Sequence, residues 1–321
     1  MRILQRLADG ALHSGADLGR RLGITRAAVS KSIRGLRADG LRLEVLPGRG
    51  YRLEQALTPL APARIASGLR GLAPPVRIEV LERVDSTNAH LLARVLGPED
   101  PSARVCLAEV QRRGRGRRGT AWVTTPYENL MLSMAWRFAA GPALMSGLSL
   151  AAGVAVVRAL EAYGIAGAGI KWPNDILWGE RKVAGLLADV YGEASGPCTV
   201  VLGVGINCRI APAEAARIDQ PWIDLYSIAG RTVDRNRLAA HLIRELHRMF
   251  KAFAAAGLAP FRADWERRHL YARRPVRLAR EGALFEGTVE GIDDSGALRV
   301  RGAGGLIRTF HSGEMSLRPL S

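Results

Sequence analysis

The sequence predicts an α+β chain of three units: a small basic helical unit with a two-stranded tip, a mixed α/β unit, and a short β-rich unit. Three observations carry this. Apolar residues repeat at helical and then strand spacing up to about residue 53. From residue 76 strand-like and helical stretches alternate. From about residue 274 only short, glycine-punctuated strand patterns remain. The units are placed at 1–60, 61–272 and 273–321. A chain of 321 residues, 48% hydrophobic and 24% charged, has the composition of a globular protein with more than one core.

In the first unit, Ile3, Leu4 and Leu7 give a short helix that Asp9-Gly10 stops. Residues 14–23 read as a second helix closed by Gly23, because glycine adopts the left-handed conformation that ends helices. Thr25 caps a third, with Ala28, Val29, Ile33 and Leu36 facing inward and Arg26, Ser30, Lys31, Arg34 and Arg37 outward. Strand-like residues 41–45 and 51–53 flank Leu46-Pro47-Gly48-Arg49-Gly50. Eleven Lys/Arg here oppose five Asp/Glu. This is the layout of a winged helix-turn-helix: Arg26, Ser30, Lys31 and Arg34 would face a major groove, and Arg49 on the wing a phosphate or the minor groove. The alternative is a three-helix interaction module whose charges are merely solvated.

Residues 58–62 (Thr-Pro-Leu-Ala-Pro) read as a linker and residues 71–75 as a second break. Residues 76–81 alternate like a strand, and Asp85-Ser86-Thr87-Asn88 offers the cap of a helix running through Leu91, Leu92 and Val95. The buried-type strand 105–110 leads into Gln111-Arg112-Arg113-Gly114-Arg115-Gly116-Arg117-Arg118-Gly119. Next come a strand at 129–134 and an apolar helix at 148–160. A hairpin follows over 170–178 and 182–190, then a buried strand at 199–207. Leu238, Leu242, Leu246, Met249 and Phe253 form the inner stripe of a long helix. Strands at 276–278, 284–289, 298–300 and 307–310 indicate a β barrel of SH3-like size.

The chemistry centres on the loop at 111–119. Glycines let the backbone approach a ligand closely, and guanidinium forks bind phosphate or carboxylate in pairs of hydrogen bonds. Gly114, Gly116 and Gly119 satisfy the dinucleotide spacing G-x-G-x-x-G. However, the spacers are arginine, no acid follows about 20 residues on, and the chain continues to a strand instead of a helix. No P-loop, GxSxG elbow or HExxH is present. Cys106, Cys198 and Cys208 lack CxxC spacing, so no disulfide framework or protein-held metal is expected. With neither a leader pattern nor an apolar run of membrane length, the expected location is the cytoplasm, with no membrane partner. A net charge of +16 favours a polyanionic partner. Only four of the 46 basic residues are lysine (Lys31, Lys171, Lys182, Lys251), which makes each a candidate for a task suited to a compact ammonium. Lys171-Trp172-Pro173-Asn174-Asp175 supplies one of them beside a conformation-fixing proline. A lysine held next to an anion loop suits transfer to or from a phosphate, stabilising charge that develops on an oxygen; a surface lysine before a turn is the plainer reading.

Taken together, Gln111, Gly114-Arg115-Gly116-Arg117-Arg118-Gly119, Trp122, Asn129-Leu130, Lys171-Trp172-Pro173-Asn174-Asp175, Lys182-Val183-Ala184-Gly185 and Gly203-Val204-Gly205-Ile206-Asn207 resemble the biotin protein ligases. The basic unit in front resembles that of the bifunctional form, which also represses the biotin operon. The resemblance implies a class II synthetase-like central domain and a two-step reaction. Biotin and ATP, with Mg²⁺, give biotinyl-5′-AMP, and the biotinyl group then passes to a lysine of biotin carboxyl carrier protein. It implies catalytic roles for Lys171, Arg115 and Arg117. Biotin contacts would come from Ser86, Thr87, Asn88, Gln111, Arg115, Gly116, Arg117, Lys171 and Gly185. Adenylate contacts would come from Arg117, Arg118, Trp122, Asn174, Asn207, Trp222 and Arg318, with Asp175 orienting its segment and Glu314 nearby. Biotinyl-5′-AMP would act as corepressor of a homodimer on operator DNA. One position departs: Thr120 stands where the family usually has arginine, so either Arg112 or Arg113 compensates or the adenylate is held less tightly. A lipoate-type ligase, or a biotin-sensing transcription factor with weak ligase activity, are the alternatives.

Overall fold

The computed structural model describes all residues except 1, 96, 98, 194, 281–282, 312–315 and 321. Three helices, α1 (Arg2–Leu7), α2 (Gly15–Leu22) and α3 (Arg26–Ala38), precede the hairpin β1 (Leu43–Leu46) and β2 (Gly50–Leu53). Their ends follow the local chemistry. Ser14 and Thr25 accept from the amides of Asp17 and Ala28, and Gly23 closes α2 at φ 66°. Val29, Ile33 and Leu36 are buried. Arg26, Lys31, Arg34 and Arg49 are exposed and carry no ion pair among the described residues, while Ser30 is half-buried.

After α4 (Pro62–Ser67), which the breaks at 58–62 and 71–75 hid from sequence reading, comes a seven-stranded sheet with two differently used faces. Its strands are β3 (Arg77–Val84), β4 (Arg104–Gln111), β5 (Leu130–Phe138), β6 (Ala168–Lys171), β7 (Asp175–Trp178), β8 (Arg181–Gly192) and β9 (Cys198–Ile206). The spatial order is β3-β4-β5-β9-β8-β7-β6, with only β3 and β4 parallel. One face is apolar at every second residue (Leu130, Leu132, Met134, Trp136; Val200, Leu202, Val204, Ile206) and is covered by helices. These are α6 (Leu148–Tyr163) and α9 (Arg235–Ala256), with α10 (Arg262–Arg268) packed on α6 and α4 on α9; between β9 and α9 lie the short helices α7 (Pro212–Ala215) and α8 (Leu225–Ala229). The stretch Pro142–Tyr163, with a mean hydropathy of 1.8, is apolar enough to cross a membrane on composition alone, yet its residues form the centre of this core. The opposite face carries α5 (Thr87–Val95), small residues and the candidate site.

The linker is pinned, not slack. Glu109, fully buried on β4, accepts from the Leu60 amide at 2.6 Å and from Arg235 at 2.8 Å. Arg235 also donates to the carbonyls of Asn129 (3.0 Å) and Thr58 (3.1 Å), and Asn236 bonds Pro59 and Ala61. Val110 and Tyr127 complete the core of the helical unit, and Asp39, just beyond α3, pairs with Arg83 and Arg112. The first unit is therefore docked on β3–β4 beside the start of the arginine loop.

At the C-terminus, β10 (Pro275–Arg280), β11 (Ala283–Ile292), β12 (Leu298–Arg301), β13 (Ile307–Phe310) and β14 (Ser316–Pro319) form one antiparallel sheet in the order β13-β12-β11-β10-β14. The β-rich unit expected from sequence is present as these five strands; a ladder between β13 and β14 that would close them into a barrel is not seen among the described residues.

Candidate active site

A cavity of about 540 Å³ opens on the α5 face of the sheet, in the range of small-molecule sites. Six basic side chains line it (Arg115, Arg117, Arg118, Lys171, Lys182, Arg217) against two carboxylates, Asp175 and Asp219. Such a balance in a partly dry site favours an anion.

Its floor is polar and fully organised. Gln111, the last residue of β4, accepts from the Thr87 amide at 2.9 Å and from its hydroxyl at 3.1 Å. Ser133 Oγ lies 2.7 Å from Thr87 Oγ1 and 2.5 Å from Asn88 Oδ1. Asn88 donates to Asp189 (2.9 Å) and to the Leu187 carbonyl (3.2 Å). Gly203 makes room for this: a Cβ there would stand 2.3 Å from Asn88 Oδ1. The segment at 86–88 thus presents hydroxyl and amide groups at a buried end, as a small polar ring needs when it leaves water.

The arginine loop is folded back on itself. Gly116 N donates to Thr120 O at 2.7 Å, Trp122 N to Gly114 O at 2.9 Å, and Arg115 pairs with Ala121. Thr120 Oγ1 donates to Arg117 O at 2.9 Å and closes the turn. Arg118 adopts φ 57°, a left-handed conformation costing about 1 kcal/mol in a non-glycine residue. Arg112 turns to Asp39 (3.4 Å) and Arg113 to Asp85 (3.9 Å), and neither lines the cavity. The position without a family arginine is instead a turn lock, and the extra cation on the wall is Arg217.

Trp122 lies against Gly185 and Gly205, where a Cβ would come within 2.9 Å and 2.6 Å of its ring. Its indole Nε1 is buried without a hydrogen-bond partner among the described residues. Arg117 donates to Asn174 at 3.3 Å, and Asn174 is fixed by the Leu186 carbonyl at 2.8 Å. Lys171 ends β6 at a turn through the cis Trp172–Pro173 bond, with Trp172 buried beneath. Burial lowers the Lys171 pKa, Lys182 and Arg318 lower it further, and Asp175 opposes them. Burial likewise lowers that of Arg117, helped by Arg118. Both cations are thereby partly stripped of water, so an anion brought beside them would be held more strongly than in bulk solvent.

Most of the sequence-predicted residues meet here: Ser86, Thr87, Asn88, Gln111, Arg115, Gly116, Arg117, Arg118, Trp122, Lys171, Asn174 and Gly185. Three do not line it. Trp222 borders a neighbouring cavity of about 600 Å³ that shares Asp219 and Gln220 with the first. Asn207 is buried and donates to the Lys182 and Ile223 carbonyls, both at 3.3 Å, so it holds the segment carrying Trp222 in place. Arg318 sits on β14 near Lys171, and Glu314 lies outside the described residues. Lys182, Arg217, Asp219 and Gln220 were missed. The scarcity of lysine and the Lys182-Val183-Ala184-Gly185 motif were the signals for Lys182; the other three lie in an unpatterned connection.

Comparison with known proteins agrees with this geometry. Residues 80–207 match the Biotin/lipoate A/B protein ligase family, 274–318 the Biotin protein ligase C terminal domain, and 1–52 an HTH domain. The bifunctional ligase/repressor BirA of Escherichia coli is 39% identical over 318 residues, covering 99% of this chain and 97% of that protein. The biotin–[acetyl-CoA-carboxylase] ligase of Mycobacterium tuberculosis is 38% identical over 227 residues, covering 69% and 82%. Among solved structures, the biotin protein ligase of Aquifex aeolicus in complex with biotin and ATP superposes with a TM-score of 0.64 at 26% identity, covering 76% of this chain and 99% of that one. A helix-turn-helix unit joined to this ligase fold, and near-complete coverage of a ligase/repressor, place the chain in the biotin protein ligase family, in its bifunctional form.

Proposed function

We propose that the chain ligates biotin to a lysine of biotin carboxyl carrier protein and represses transcription in response to biotin. The observation that carries the ligase reading is the single cavity in which the arginine loop, the polar segment 86–88 and Lys171 meet. The biotin ureido ring occupies the polar end at Ser86, Thr87, Asn88 and Gln111, and its carboxylate points to Arg115, Arg117 and Lys171. A carboxylate oxygen attacks the α-phosphorus of ATP; the new C–O–P bond forms as the bond to pyrophosphate breaks. Lys171, Arg115 and Arg117 stabilise the negative charge that grows on the phosphoryl oxygens. Arg118 and Arg217 face the departing pyrophosphate. Mg²⁺ arrives with ATP and offsets phosphate charge; Asp219 is the lining carboxylate with no ion pair among the described residues. Trp122 and Trp222 flank the base, and Asn207, Asn174 and Arg318 hold the segments around it. The carrier lysine amine then attacks the mixed anhydride carbonyl and AMP leaves. The folded loop excludes water from this anhydride.

Incubation with ATP, apo-carrier protein and either biotin or lipoate tests the assignment. Incorporation of biotin alone is expected; incorporation of lipoate alone would sink it.

For the first unit, the charges of Arg26, Lys31, Arg34 and Arg49, exposed beside Ser30 and without an ion pair among the described residues, support docking on DNA; the chain would do so in the cytoplasm, as a homodimer on a two-fold operator. Biotinyl-5′-AMP is the corepressor. Footprinting is expected to show protection that strengthens when biotin and ATP are both present, and Arg34→Ala should weaken it. Protection indifferent to biotin and ATP would rule out the corepressor.

A further inference from the structure

Glu79, His90 and Cys106 meet on the α5 face of the sheet, outside the cavity. Glu79 on β3 and Cys106 on β4 are direct partners in the parallel register, so both side chains leave the sheet on one side. That side is otherwise apolar: Leu81, Leu91, Val95 and Val201 pack with Cys106 under α5. His90, in the first turn of α5, is set down on the pair, with its Nε2 2.9 Å from Glu79 Oε2. A ligand atom of each of the three residues lies within 4.8 Å of the other two, the one such trio of His, Cys, Asp or Glu among the described residues.

Each member is suited to a metal. The Cys106 thiol is fully buried and makes only a long contact, 3.9 Å to the Leu107 carbonyl. The Glu79 side chain is 40% exposed, which leaves one side of the group open to water. Arg94 stands over the trio, 3.6 Å from Glu79 and donating to His90 Nδ1 at 3.2 Å. A guanidinium can only donate, so His90 here carries its proton on Nε2. Half of the Arg94 side chain is in solvent, and it can withdraw there.

We propose that Glu79, His90 and Cys106 bind a borderline-soft divalent cation of the Zn²⁺ type, with water in the fourth position. One thiolate, one imidazole and one carboxylate are a donor set that Zn²⁺ takes in tetrahedral geometry, whereas Mg²⁺ selects oxygen. On binding, the Cys106 proton passes to solvent, the imidazole proton moves from Nε2 to Nδ1, and Arg94 leaves Nδ1. Zn²⁺ with one thiolate and one carboxylate is neutral, so the charge of Arg94 is no longer needed. The ion would tie α5 to β3 and β4, the elements that carry Thr87, Asn88 and Gln111. The site stands independently of the ligase reading. No spacing motif marks it in the chain, because its three ligands come from three elements.

Full-length protein, stripped with a chelator and free of nucleotide, is titrated with Co²⁺ and, against a chromophoric chelator, with Zn²⁺. A single equivalent is expected, with a near-ultraviolet thiolate-to-cobalt charge-transfer band that Zn²⁺ abolishes and excess Mg²⁺ leaves in place. Cys106→Ser should lose the band, while Cys198→Ser and Cys208→Ser keep it. Glu79→Gln and His90→Gln, at partly exposed positions, decide the matter even where Cys106→Ser fails to fold. Each should weaken Zn²⁺ binding by at least about tenfold, a loss that replacing even an outer partner of a metal ligand brings. Arg94→Met should tighten it, since a competing cation is gone, and Zn²⁺ should raise the melting temperature of the wild type. The absence of a charge-transfer band in the wild type, a band that survives Cys106→Ser, or a Zn²⁺ affinity unchanged by Glu79→Gln or by His90→Gln would overturn the proposal.

Discussion

Lys171→Ala is expected to slow biotinyl-adenylate formation by about 10²–10³-fold while leaving the thermal transition of the protein in place, the loss typical of removing one preorganised donor. The ammonium stands at the end of β6 on the cavity wall, and the one carboxylate in its turn, Asp175, is already paired with Lys182. A partly buried cation with its neighbouring acid engaged elsewhere costs stability in the resting protein and gains it when a phosphoryl anion arrives. Removing it therefore removes an interaction made mainly in the transition state. The second step, started from supplied biotinyl-5′-AMP, should slow much less. Lys171→Arg should not restore the first step, since a planar fork cannot take the place of a compact ammonium. Single-turnover pyrophosphate release measures the effect, and a rate within a few-fold of wild type would exclude Lys171 from the mechanism.

Glu109→Ala is expected to destabilise the protein by about 3–5 kcal/mol, the cost of leaving one charge of a buried pair alone. Glu109 is fully buried and Arg235 is 4% exposed, so water cannot take over the lost contact. Glu109 also accepts the Leu60 amide, so the same change loosens the linker that joins the DNA-reading unit to the ligase sheet. Urea denaturation should show the lower midpoint. Limited proteolysis should cut within residues 54–62 faster than in wild type. A double replacement, Glu109→Leu with Arg235→Met, should recover most of the loss, because it leaves no unpaired charge. A Glu109→Ala midpoint equal to wild type would show that the pair does not hold the linker.

How much of this was written in the chain depends on the range of the interaction concerned. Local rules gave what is local. Ser14, Thr25 and Gly23 cap their helices through contacts within a few residues, and the near-continuous apolar runs in residues 105–110 and 199–207 marked buried strands of the central sheet. The arginine loop and the Lys171–Asp175 segment were likewise legible, because the chemistry of each lies within nine residues and their order matched a known family. The sequence by itself thus determined the three-unit order, the ligase family and most of the cavity wall. The tertiary structure decided whatever depends on partners far apart in the chain. It showed the linker fixed by Glu109 and Arg235, and Asn207 turned inward to hold the segment of Trp222. It showed Arg112 drawn away to Asp39, and Lys182 swung onto the wall by a bulge one residue long. Hydrophobic periodicity records which face of an element meets the core, but not which distant charge, carbonyl or ring stands opposite it. That pairing is set only when strands 70 or more residues apart are brought into one sheet, as β4 and β9 are through β5.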